Sequence, residues 1–148
     1  MGRETKPPHP RSHPHRSQGE LMTTQSTPVL EAYMNAWVAG NPQQIADLVS
    51  VDCVITECYG PVYRGRERVF QWADQWFSER GMVHSWQISS SFTAPGREVA
   101  EWVFDFTWQG RRRSFEGASI ATVDGGLITS LREYRTTGEL YDWTGTWL

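Results

Sequence analysis

Over residues 98–108 the side chains alternate strongly. Trp102, Phe104, Phe106 and Trp108 fall on one side, and Glu101, Val103, Asp105 and Thr107 on the other. Alternation with period two predicts a strand with one apolar face. Rings of that size are costly to leave in water across a whole sheet face, so the chain must supply a cover. Flanking segments extend the pattern. Residues 83–93 alternate loosely, Pro95-Gly96 marks a turn, and residues 112–123 form another strand after Gln109-Gly110. Asp124-Gly125-Gly126 is a hairpin signal ahead of a last strand over 127–136. The second half is therefore an antiparallel meander.

The cover comes from the first half. Thr27 is placed to cap a helix and Pro28 suits its first position. Leu30, Tyr33, Met34, Trp37 and Val38 recur at helical spacing up to a stop at Gly40. Asn41-Pro42 repeats the start signal, and Ile45, Leu48 and Val49 mark a short second helix. Residues 52–59 read as a strand, and GPVYRGRE as a turn and a bend. A third helix over 66–80 carries Val69, Phe70, Trp72, Ala73, Trp76 and Phe77 on its apolar side. Helices first and hairpins after imply an α+β fold, three N-terminal helices packed on a curved, mostly antiparallel sheet. A twisted sheet covered on one face leaves a cone whose open end is a natural pocket. The outer face mixes polar residues with Val99 and Val103, which suits contact with a second copy, so a homodimer is expected.

The 148 residues suit one domain, expected over 27–148. Residues 1–26 hold four prolines, three histidines and few apolar side chains, and are expected to be a disordered tail. A net charge of −3 lacks the basic footprint of a nucleic-acid binder. No apolar run approaches a membrane span. Cys53 and Cys58 have no zinc or disulfide spacing and read as free thiols in the cytoplasm. No metal or other cofactor is expected. His84 reads as a surface or capping group, and the Arg111–Arg113 run as a solvated turn.

Three segments, AYMNAWVAGNPQQIADLVSVDCVITE, YRGRERVFQW and FTWQGRRRSFEGASIATVDGGLITSLREY, stand in the order seen in the NTF2-like superfamily, with its SnoaL-like and ketosteroid isomerase-like branches. The resemblance covers residues 27–137. From Tyr33 to Glu57 the chain resembles ketosteroid isomerase without a gap: a tyrosine on the first helix, the AGN helix end, then a strand ending in an acid. In that family the tyrosine donates to a developing oxyanion and the carboxylate moves the proton, which implies those roles for Tyr33 and Glu57. The family's second donor is a protonated aspartic acid, whose place here falls near Ser119, a departure that leaves a weaker donor. Glu133 resembles one acid of the pair that activates water in the limonene epoxide hydrolase branch. Val103 and Asp105 stand near that branch's arginine and first acid, so its pattern is incomplete.

The residues support acid–base chemistry on their own terms. Proton transfer at carbon needs a base beside an apolar pocket and a donor for the enolate oxygen. Glu57 lies between Val54-Ile55 and Tyr59. Glu133 shares a face with Leu131, and two carboxyl groups in one pocket push their pKa values apart. The expected catalytic residues are Tyr33, Glu57 and Glu133. The expected substrate-binding residues are Trp37, Tyr59, Trp72, Trp76, Trp102, Phe104, Phe106, Ser119 and Leu131. The expected ligand is a small apolar or cyclic molecule, taken by an isomerase or cyclase. An epoxide hydrolase or dehydratase is the second expectation, and a non-catalytic binding or interaction module the third. Tyr141, Trp143 and Trp147, beyond the last strand, are expected to cover the cone mouth or pack on a partner subunit.

Overall fold

The first helix is held from across the molecule. In the computed structural model, which describes residues 26–148, α1 (Val29–Val38) follows Pro28, and no side chain of its own entry segment caps it. Glu98 takes that role instead of Thr27, its Oε2 accepting from the Leu30 N–H at 3.4 Å. Next comes α2 (Pro42–Asp47), where the Asn41 side chain accepts from the Gln44 N–H at 3.0 Å, as the Asn-Pro signal predicts. The helix ends earlier than expected, because β-branched Val49 opens β1 (Val49–Thr56) and lies beside Ile128. The GPVYRGRE stretch contains β2 (Val62–Arg64), a strand where a turn and a bend are expected. Then follow α3 (Arg66–Ser78), β3 (Met82–Ala94), β4 (Arg97–Trp108), β5 (Arg111–Asp124) and β6 (Leu127–Arg135). Most of the expected tail, residues 1–25, lies outside the described residues.

The six strands of the described residues form one sheet in the order β2-β1-β6-β5-β4-β3. Neighbours run antiparallel except β1 and β6, which are parallel. The three helices lie on one face, so the class is the α+β layer arrangement expected.

Side-chain size grades along the covered face. At the Pro95-Gly96 end, Ala100, Ala121, Ile128 and Leu131 are fully buried with Leu30, Tyr33 and Met34 of α1. Toward the other end β4 presents Trp102, Phe104 and Phe106, opposite Gly117, Phe115 and Arg113 of β5. Gly117 is required there: a Cβ would collide with the Trp102 ring and the Tyr134 carbonyl. Small residues let α1 settle on the sheet, and large ones hold α3 away from it.

Past β6, Thr136 is tied to the Glu116 carbonyl by its N–H and hydroxyl, at 2.9 and 3.0 Å. The remaining residues are exposed, Trp143 at 58% and Trp147 at 81%, so the tail does not cover the cone mouth in the single chain. The two indoles contact each other instead, 5.4 Å between centroids. Among the described residues no helix is long and apolar enough to cross a membrane.

Candidate active site

Glu57 is the first residue past β1, where a tight turn fixes its backbone. Its N–H donates to the Pro61 carbonyl and its carbonyl accepts from the Gly60 N–H, both at 3.0 Å. That turn reverses the chain into β2 and sets Tyr63 beside Ile55. The Tyr63 hydroxyl donates to Glu57 Oε2 at 3.0 Å. Its ring stacks flat on Trp72 of α3, 3.9 Å between centroids and 8° between planes. Glu133 arrives on β6, opposite Ser119 of β5 and on the inward side with Leu131. Only 8% of its surface is exposed, and its carboxyl group accepts no hydrogen bond from a described residue.

Both carboxyl groups line one cavity of about 680 Å³, the size of a drug-like ligand site. The helix-side wall is Trp37, Tyr63, Trp72 and Trp76, and the sheet-side wall Trp86, Trp102, Phe104, Phe106 and Phe115. Trp76 and Trp108 stack at 5.5 Å and 7°, joining the two walls. The rim is polar, with Arg68, Gln71, Gln75 and Glu79 from α3 and Gln109 and Arg113 from the β4–β5 hairpin, all exposed. Tyr59 lines the same space, with the Arg135 guanidinium 4.4 Å from its ring centroid.

The environment separates the two acids. Burial raises Glu57, and the Tyr63 hydrogen bond pulls it back down by favouring the charged form. Glu133 is raised to about 8 by burial, then by the negative charge of Glu57. Near neutrality Glu133 therefore keeps its proton. Burial and the same two acids push the Cys58 thiol in the lining up to about 12, which keeps it a thiol.

Of the residues expected in the site, Glu57, Glu133, Trp37, Tyr59, Trp72, Trp76, Trp102, Phe104 and Phe106 line the cavity. Tyr33, Ser119 and Leu131 do not. Tyr33 is fully buried in the core, its ring 6.4 Å from that of Trp37. Tyr33 Oη and Trp37 Nε1 are both buried, and neither makes a hydrogen bond of good geometry. Burial, then the Glu133 charge, hold the Tyr33 hydroxyl well above the ordinary tyrosine range. Ser119 faces inward but is sealed from the cavity, and its Oγ accepts from Trp102 Nε1 at 2.9 Å. Leu131 is packed into the closed end. Asp105 is on the outer face, paired with Arg112 at 2.8 Å, so it is no partner for Glu133. His84 binds Thr107 Oγ1 at 2.7 Å on an exposed edge. Tyr63 and Phe115 belong to the cavity although sequence reasoning did not select them. An aromatic held between Pro61 and Gly65 was the available signal for Tyr63.

A family model described as the SnoaL-like domain matches residues 30–131. No curated protein matches the chain. Among solved structures, a hypothetical protein from Catenulispora acidiphila with a ketosteroid isomerase-like fold, in complex with trimethylamine, is similar at TM-score 0.64 and 23% identity. That likeness covers 74% of this chain and 86% of the other. An LEH-like epoxide hydrolase from M. tuberculosis gives 0.66 and 18% identity, covering 73% and 80%. A proposed polyketide cyclase from Xanthomonas campestris pv. campestris gives 0.59 and 19%, covering 72% and 86%. At these identities the likeness is one of fold.

Proposed function

This chain belongs to the SnoaL-like domain family, within the NTF2-like superfamily, and on that premise we propose that it is an enzyme moving a proton on a small cyclic substrate. Glu57 is the base and Glu133 the acid. The observation that carries the reading is one aromatic cavity lined by two carboxyl groups, one held by a tyrosine hydroxyl and the other buried without a hydrogen bond from a described residue.

Glu57, charged and steadied by Tyr63, takes a proton from carbon next to a carbonyl. Neutral Glu133 donates a hydrogen bond to the carbonyl oxygen as it gains charge. The same Glu57 then returns its proton to another carbon of the ring, or the enolate carbon attacks a second carbonyl of the substrate, whose C=O π bond opens to an alkoxide that takes the proton from Glu57. No cofactor enters these steps. Glu133 takes the donor's part that the resemblance implies for Tyr33, and Tyr33 supports Trp37 from behind. Val99, Val103, Ile120 and Tyr134 lie on the outer face, partly or fully exposed, which supports pairing with a second copy. Unpaired Cys53 and Cys58 fit a reducing cytoplasm.

A panel of cyclic ketones and enones in D₂O, followed by NMR, tests the reading. Exchange next to the carbonyl is expected with the native protein, and Glu57→Gln should slow it by about 10²–10⁴. Exchange at the native rate in both Glu57→Gln and Glu133→Gln would overturn the roles given to the two acids, and no exchange above the protein-free rate would leave the cavity a binding site without chemistry. Hydration of an epoxide is a second reading. It is favoured by the same two acids, Glu57 to activate water and Glu133 to protonate the epoxide oxygen, and a ring-opened diol from an epoxide panel would select it.

A further inference from the structure

The reading above leaves open what kind of molecule fills so aromatic a space. Six of the eight tryptophans line the cavity. Such walls are more than apolar. Each indole presents a negative π-face, and a cation held against several of them after losing its water gains more than a neutral group of the same shape. The charges are also ordered by depth. Glu57 and Glu133 are recessed, while the arginines of the lining, Arg68 and Arg113, are exposed at the rim. Arg68 is further engaged with Gln71 Oε1 at 2.9 Å. No lysine, arginine or histidine of the lining sits deep beside the acids. Glu57 accepts a hydrogen bond from Tyr63 and makes no ion pair with a described residue. A carboxylate that is partly buried and lacks a counter-ion is costly, and a ligand carrying positive charge would supply one.

We propose that the cavity selects an organic cation, an apolar body bearing a protonated tertiary or a quaternary amine, whose positive centre lies among Trp37, Trp72 and Trp76 within reach of Glu57. This deepens the enzyme reading by naming the substrate class, and it rests on that reading only for the ionised state of Glu57. The amine stays charged throughout and takes no part in the proton transfer. An uncharged ring of the same size fills the volume but leaves the carboxylate unmatched.

Choline and its neutral carbon isostere 3,3-dimethylbutan-1-ol differ in charge and scarcely in shape. Titrated into the native protein at constant ionic strength and pH 7, with tryptophan fluorescence as readout, choline should bind about tenfold tighter or more. Glu57→Gln should bring the two to within about twofold while leaving the thermal transition in place. Trp72→Leu, which keeps the charge and removes one face, should also shrink the preference. Equal affinity of the two probes, or binding of the alcohol alone, would overturn the assignment and leave the proton-exchange test above untouched. Binding of neither probe would overturn it as well. A choline preference that survives Glu57→Gln would overturn the part given to Glu57.

Discussion

The two ends of the covered sheet face are built from the same strands and do opposite things. Where β4 and β5 carry Ala100 and Ala121, α1 closes on the sheet and the packing is dry. A few residues along the same strands, Trp102, Phe104, Phe106 and Phe115 meet Trp72 and Trp76 of α3 across open space. Apolar character is alike at both ends, so hydrophobicity does not make the cavity. Size does: small side chains let the layers touch, and large rigid ones prop them apart.

The contrast can be broken first at the open end. Glu57→Gln should lower proton exchange by about 10²–10⁴, measured by NMR, with the fold retained in circular dichroism. At the closed end the reverse holds. Leu131→Ala should cost about 2–5 kcal/mol in urea unfolding, whereas Trp108→Ala, half-exposed at the mouth, should cost clearly less. Glu133 joins the two ends, and its proton gives a signed prediction. Its folded pKa of about 8 lies above the ordinary 4.5. Between those values the folded chain keeps a proton that the unfolded chain has lost. Stability should therefore fall as pH rises from about 4.5 to about 8 and level off above, Glu57 adding a smaller slope of the same sign. Glu133→Gln should flatten that slope, so that at pH 8.5 the variant melts higher than the native chain. The alkaline limb of activity near pH 8 should vanish with it. Smallest of all, Trp147→Ala in the exposed tail should change stability by no more than about 0.5 kcal/mol.

Much of this was legible in the sequence, and the exceptions share a cause. Period-two alternation showed which way Trp102, Phe104 and Phe106 face, and placed Glu133 on the inward side through Leu131. Periodicity reports direction, however, and not depth. Tyr33 and Ser119 point inward as expected, yet Trp37 and Trp102 stand between them and the cavity, and nothing in spacing states which ring lies in front. Strand β2 was missed because three residues between Pro61 and Gly65 are too few to show alternation. Tyr63 was missed with it, so the hydrogen bond that steadies Glu57 could not be foreseen. Thr27 carries a good local cap signal, but the helix took its partner from Glu98, which is distant in sequence.

The parallel pairing of β1 with β6 bears on when this site can exist. During synthesis Val49–Thr56 emerges early and finds only the three-residue β2 beside it. Its other edge waits for Leu127–Arg135, the last strand to be made. Pairing across so long a stretch of chain is slow, and an open edge is a hazard while it lasts. Because Glu57 directly follows the first of these strands and Glu133 lies on the other, the acid pair forms only as the sheet closes. A chain cut short before Leu127 would lack both the closure and the chemistry, so unfinished copies are silent rather than faulty.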